Sequence, residues 1–238
     1  DPMIQITEND LQKCIARAIR SDDPFPYVII DDFFSHDVAD ALAAVFPTLT
    51  DFDWDLRHNS PESRQKVVCS TESKFPDVIR EALLFFNSNY FVAFAEDIFN
   101  IRDLIVDQTH RGCGMHSTGK GGHVGIHSDS SRHPNRNFDQ RLNAILWLNL
   151  DWQEHWGGHL ELWDRSAKEC RVKIAPLHNR LAMFETGTSC YHGHPHKLAC
   201  PEDRRRNSLA SYYYQIKREV DEDHGGWREA PHFVTFDP

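Results

Sequence analysis

The sequence predicts a mainly β domain, α+β overall, in which N-terminal helices support a β-sandwich or jelly-roll core. Three observations carry that prediction. Apolar side chains recur at helical spacing through roughly the first hundred residues, and short β-type runs between turns replace them after about residue 103. No internal repeat, low-complexity tract or clear linker interrupts the chain, and 238 residues suffice for one good core. The reading is therefore a helical support region at 1–102 packed on a β core at 103–238, one structural domain overall. Asp1-Pro2 ahead of Met3 reads as a cloning remnant and is left out.

Leu11, Cys14, Ile15, Ala18 and Ile19 fall at helical spacing behind a polar start at Thr7 to Asp10. Tyr27-Val28-Ile29-Ile30 is a short apolar run of strand type. Ser35 reads as the N-cap of a helix that carries Val38, Leu42 and Val45 and ends at Pro47. A further helix opens at Pro76, with Val78, Ile79, Leu83 and Phe86 on its buried side. The aromatic stretch from Tyr90 to Phe99 is read as helix. Strand candidates follow at 103–107, 122–128, 142–149, 158–163, 170–174, 180–185, 188–192 and 207–215. By the two-residue period, Asn143, Ile145, Trp147 and Asn149 share one face, and Leu142, Ala144, Leu146 and Leu148 the other. Both faces are largely apolar, which predicts a strand covered on both sides. The tryptophans at 147, 152, 156 and 163 are read as β-core and loop packing.

Lys and Arg number 26 against 36 Asp and Glu, a net charge of −10 that argues against a nucleic-acid partner. Arg204-Arg205-Arg206 is too short to reverse this. No apolar run reaches the roughly 18–20 residues needed to span a bilayer. Six scattered cysteines (14, 69, 113, 170, 190 and 200), with no C-x-x-C pair and no visible signal peptide, read as reduced thiols in a cytoplasmic protein.

The chemistry gathers around His127-Ser128-Asp129 and Tyr191-His192-Gly193-His194-Pro195-His196. Two residues apart on a strand, His127 and Asp129 project from one face toward one point. One further imidazole completes a two-histidine, one-carboxylate facial triad for non-haem iron(II) with open positions. An isolated H-x-D is ordinarily a surface pair, and three histidines (192, 194 and 196) compete for the distal position. His123 offers a zinc alternative, which the carboxylate and the lack of clustered cysteines disfavour. Arg206-Asn207-Ser208 begins fourteen residues after His192. A dicarboxylate chelated to iron at one end needs a cation at the other; arginine's fork suits a carboxylate, and Ser208 adds a hydroxyl on the same face. Gly114 to Gly121 nearly spells a phosphate-binding loop but has Gly121 where Ser or Thr is needed, with no helical pattern after it. It is read as a glycine-rich loop at the mouth of the site.

The stretches Gly122–Asp129, Arg141–Asn149, Trp156-Gly157-Gly158-His159-Leu160-Glu161-Leu162-Trp163, Asn179–Glu185 and Ser208–Tyr214 resemble the iron(II)- and 2-oxoglutarate-dependent dioxygenases. The resemblance is to the prolyl 4-hydroxylase-like branch and runs from about Gly121 to Tyr214. It implies a double-stranded β-helix with the metal at one open end. It matches His127, Asp129 and His192 to the iron ligands, with His194 either supporting those ligands from behind or lining the pocket. It matches Arg206 to the residue that pairs with the 2-oxoglutarate 5-carboxylate, Ser208 to its helper, and Asn143 and Trp147 to the cosubstrate pocket. A tyrosine is common where Trp147 stands. Halogenating relatives lack the carboxylate that Asp129 supplies, so the resemblance implies oxygenation.

The implied cofactors are Fe(II), 2-oxoglutarate as cosubstrate and O2, with ascorbate as a supporting reductant. The expected reaction is hydroxylation of an unactivated C–H bond of a small molecule, a free or carrier-bound amino acid or a natural-product intermediate, with release of succinate and CO2. A prolyl or peptidyl hydroxylase is the alternative, and a non-catalytic metal-binding protein of the same fold the minor one. The acidic, aromatic tail from Glu219 to Pro238 is read as packing on the surface, with closure over the pocket or a homodimer contact as the alternatives.

Overall fold

The computed structural model describes residues 4–130, 132, 133, 136, 138–216 and 231–235. In chain order the elements are α1 (Glu8–Arg17), β1 (Ile19–Ser21), β2 (Tyr27–Ile30), α2 (His36–Ala44), β3 (Leu56–His58) and β4 (Ser63–Cys69). Then come α3 (Asp77–Phe86), α4 (Asn89–Phe99), β5 (Ile105–Val106), β6 (Gly114–Ser128), β7 (Asp139–Trp147) and β8 (Leu160–Trp163). The last are β9 (Cys170–Ile174), β10 (Arg180–Glu185), β11 (His192–His194), β12 (Arg206–Gln215) and β13 (His232–Phe233).

The helices start where local chemistry satisfies their free N–H groups. Thr7 caps α1 in a reciprocal box with Asp10, and the Ser88 hydroxyl accepts from Phe91 N to open α4. Ser35 and Pro76 stand at the N-cap positions of α2 and α3, but neither makes a side-chain cap bond. Ile19 lies outside α1: the helix ends at Arg17 and Ile19 begins β1.

The described strands join in one antiparallel sheet whose backbone order is β1-β2-β10-β7-β12-β6-β11-β8-β9. It is the curled, mainly antiparallel jelly roll of a double-stranded β-helix. The alternation expected of β7 holds. Leu142, Ala144, Leu146 and Leu148 face the large core under the helices, whereas Trp147 packs with Leu160, Leu162, Ile174, Ala182 and Phe184 inside the roll. Strand β10 repeats the pattern, with Leu181 and Met183 outward to the helices and Ala182 and Phe184 inward. Asn179, at φ 59°, fastens the layers. Its amide donates to Phe34 O and accepts from Phe34 N, and its N–H donates to Trp147 O.

Three expectations need correction. The Gly114–Gly121 segment is not a loop; it is the first half of β6. Gly114–Thr118 pairs with β12 on one side, and Val124–His127 pairs with β11 farther along, so one strand serves both halves of the roll. The glycines lie where it turns between them: Gly121 has φ +71°, and a Cβ on Gly122 would meet Thr118 and the Gly119 and Arg64 carbonyls below 3 Å. The N-terminal region is less purely helical than read, because β3 and β4 form a hairpin whose second strand pairs with β6. Its Ser63-Arg64-Gln65-Lys66 start is too polar to register as a strand in sequence. Finally, the strand expected at 188–192 begins at His192 and runs to His194.

A candidate iron and 2-oxoglutarate site

Strand β6 ends at Ser128, and its register sets His127 directly opposite His192 of β11. Asp129 follows immediately. A ligand atom from each of His127, Asp129 and His192 lies within 4.8 Å of the others, and among the described residues no other cluster of three such side chains forms. The remaining candidates are spent elsewhere. His123 Nε2 meets Pro61 O at 2.9 Å, and His196 lies against Glu161 at 3.4 Å. His194 lines the neighbouring cavity.

The surroundings orient all three groups. His127 Nδ1 is 2.9 Å from Gly125 O and His192 Nδ1 is 3.1 Å from Cys190 O. A carbonyl accepts only from a protonated ring nitrogen, so each Nδ1 carries a hydrogen and each Nε2 is the ring atom turned toward the site. Those Nε2 atoms face Asp129 Oδ1 at 3.5 Å and 3.6 Å. Asp129 Oδ2 accepts from Gln140 Nε2 at 3.1 Å and lies 3.4 Å from Asn143 Nδ2. Burial works against a charge on Asp129. The facing His192 and His127 rings and the Asn143 amide overcome it and hold the carboxyl well below the usual carboxylate range. Burial pushes His192 down to about 4, partly opposed by Asp129. The two Nε2 atoms and Asp129 Oδ1 thus converge on one point, an arrangement that suits a cation. Two imidazole nitrogens and one carboxylate suit a divalent first-row metal with positions left open.

Gly193 makes the pairing of β11 with β6 possible. A Cβ there would lie 2.5 Å from Gly125 O and 2.9 Å from Val124 O, inside the backbone of the strand that carries His127. Phe184 packs on the His192 ring at 4.7 Å, and Phe233 of β13 packs on His127 at 4.9 Å. Strand β13 hydrogen-bonds along β6 with Phe233 opposite His127. Of the tail, only residues 231–235 are described; 217–230 and 236–238 lie outside the described residues.

A small cavity of ≈ 70 Å³ adjoins the three ligands and is lined by Asn143, His194, Arg206, Ser208 and Lys66 among others. Arg206 is buried, with Nε donating to Gly158 O at 2.7 Å and its guanidinium 5.4 Å from the Trp147 ring centroid. Trp147 itself belongs to the apolar core beneath Arg206. Burial pushes the guanidinium down to about 9, and no carboxylate of the described residues pairs with it. A buried unpaired charge is costly, and an anion from outside removes that cost. The site therefore fits both a divalent metal and a dicarboxylate that reaches from it to Arg206.

A larger cavity of ≈ 480 Å³ shares Lys66, Val124, His127, Asp129 and Tyr212 with the small one. Lys66 is half-buried; burial, reinforced by the charge of Arg206 and opposed by Asp129, pushes its ammonium down to about 8. Lys66 and Gln140 were not legible as site residues. Gln140 reaches the face of Asn143 through an irregularity in which Tyr213 pairs with Leu142 and Tyr214 with Gln140, so that Arg141 is skipped.

Residues 113–214 match the sequence profile of the 2OG-Fe(II) oxygenase superfamily. No curated protein matches the chain. Among solved structures, a prolyl 4-hydroxylase from Phytophthora capsici is similar at TM-score 0.61 and 22% identity, over 94% of this chain and 71% of that one. A Pseudomonas putida prolyl-4-hydroxylase matches at TM-score 0.57 and 19% identity, over 87% and 98%. HygX from Streptomyces hygroscopicus, solved with nickel, 2-oxoglutarate and hygromycin B bound, matches at TM-score 0.54 and 12% identity, over 95% and 97%. Among the described residues no helix is long and apolar enough to cross a membrane. The chain thus carries, over residues 113–214, the profile of the 2OG-Fe(II) oxygenase superfamily, on a fold similar to that of the prolyl 4-hydroxylases.

Proposed function

We propose that this enzyme hydroxylates an unactivated C–H bond of a small molecule, with iron(II) held by His127, Asp129 and His192. In this reading Arg206 pairs with the far carboxylate of 2-oxoglutarate, Ser208 adds a hydroxyl beside it, and Asn143 borders the cosubstrate. The observation that carries the reading is the convergence of three candidate ligand atoms within 4.8 Å beside a buried guanidinium that has no carboxylate partner among the described residues. When bound, iron(II) with 2-oxoglutarate and O2 supplies the oxidant, one oxygen atom entering the substrate while the cosubstrate leaves as succinate and CO2.

The chain's own residues supply order. Gly125 O and Cys190 O fix the ring tautomers, and Gln140 and Asn143 hold the outer oxygen of Asp129, so that Oδ1 faces the metal position. Trp147 and Gly158 O keep Arg206 aimed along the cavity. The phenol-bearing and apolar residues Tyr212, Val124 and Phe233 border the space where a substrate would approach.

The size of the ≈ 480 Å³ cavity supports a small molecule, and HygX, of similar fold, was solved with hygromycin B bound. The prolyl 4-hydroxylases of similar fold favour the second reading, a peptidyl hydroxylase. Succinate release from 2-oxoglutarate, stimulated by a candidate substrate, separates the two. Stimulation by free small molecules and not by proline-containing peptides is the expected result; stimulation by peptides alone reverses the assignment.

A further inference from the structure

The ≈ 480 Å³ cavity beside His127 and Asp129 is cationic in a chain whose net charge is −10. Among the described residues, Lys66, Arg111 and Arg132 line it, against a single acid, Asp129. Asp129 is committed to the two rings and to Gln140 and Asn143, and Arg132 lies 3.8 Å from Asp139. Lys66 Nζ and the Arg111 guanidinium make no hydrogen bond or ion pair with any described residue. Lys66 also borders the small cavity, where Arg206 adds a second positive charge.

Charge balance shows what is missing, on the oxygenase reading above. A metal dication, the Asp129 carboxylate, the 2-oxoglutarate dianion and Arg206 together sum to zero. Lys66 then leaves one positive charge between the metal position and the larger cavity, and a desolvated cation is stabilised most by a partner anion. Leu56, Val68, Val124 and Phe233 give the wall an apolar part, beside polar side chains such as His58, Ser60, Ser63 and Ser130.

We propose that Lys66, assisted at the rim by Arg111, binds a free carboxylate of the primary substrate and so selects a carboxylic acid with an apolar body. One ammonium suits one negative charge. The carboxylate anchors the molecule at β4, with its apolar carbons over the metal position. A carrier-bound amino acid, whose acyl group is a thioester, and a residue inside a peptide both lack this anion. Lys66 is thus the specificity-determining side chain, distinct from Arg206, which serves the cosubstrate.

The test is calorimetric binding to the full chain loaded with zinc(II), which does not turn over, and 2-oxoglutarate. The probes are the free L-α-amino acids and their N-acetyl derivatives, each as the acid and as the primary amide. At least one acid is expected to bind about tenfold or more tightly than its amide. With 2-oxoglutarate saturating, Lys66→Gln should abolish that preference, whereas charge-conserving Lys66→Arg should retain it. A panel in which no acid outbinds its amide overturns the proposal. So does a preference that survives in Lys66→Gln or is lost alike in Lys66→Arg. A wild-type protein that binds no 2-oxoglutarate instead overturns the oxygenase reading on which the proposal rests.

Discussion

Asp129 and Arg206 are two buried charges with opposite needs. Asp129 has neighbours that hold its charge: the two rings, Gln140 and Asn143. Arg206 has a carbonyl and an aromatic face but no carboxylate among the described residues, which suits it to an anionic ligand. Arg206→Ala should accordingly raise the 2-oxoglutarate KM by about 10- to 100-fold, the loss of a charged hydrogen-bonded pair, with a smaller effect on saturated turnover. Steady-state kinetics against 2-oxoglutarate measures this; an unchanged KM assigns the cosubstrate to another cation. At this scale the sequence already singled out His127, Asp129 and Arg206 as candidates, because their residue types and spacing match a chemistry. The choice among His192, His194 and His196 was open from residue type alone. Cross-strand register resolves it, since only His192 stands opposite His127 and beside Asp129.

The element that organises the site is β6, which turns at its glycines between the two halves of the roll and ends in the ligand pair. Its glycines made it look like a loop in sequence, because a strand that turns needs the same residues as a loop. Strands β9 and β10, with clear boundaries and apolar pattern, were legible to the residue. The β3–β4 hairpin was not, since its role comes from pairing with β6 rather than from its own periodicity. The union of β6 with β11 depends on Gly193. Gly193→Ala would drive a Cβ into the Gly125 and Val124 carbonyls, backbone atoms that cannot swing aside. The cost should be about 1–3 kcal/mol, several degrees in melting temperature, together with weakened metal binding as the two histidines part. Calorimetry with metal titration of the purified variant checks both; wild-type values for both would contradict this account of the pairing.

Across the whole molecule, the N-terminal region is built into the β core. Strand β2 extends the sheet beside β10, β4 covers β6, and one apolar core runs from Leu11 to Tyr213 under the helices. All six cysteines are free thiols, as their scatter predicts. Asp55 helps hold β4 in place. Its carboxylate accepts from Ser70 N at 2.7 Å and Thr71 N at 2.9 Å and pairs with Lys74 at 2.8 Å. Burial opposes the Asp55 charge, but Lys74 and these N–H groups overcome it and hold the carboxyl well below its ordinary value. A depressed folded-state value stabilises the fold above the unfolded pKa of about 4 and is lost as pH falls below it. Asp55→Asn should therefore cost about 1–3 kcal/mol at pH 6, a deficit that shrinks progressively below pH 4. Urea unfolding of both proteins across that range measures it. For the central claim the most direct measurement is succinate formation from 2-oxoglutarate under air with added iron(II), comparing wild type with folded His127→Ala. The account predicts iron- and 2-oxoglutarate-dependent succinate from the wild type and at least about a hundredfold less from the variant. A variant that turns over 2-oxoglutarate at near-wild-type rate would contradict it.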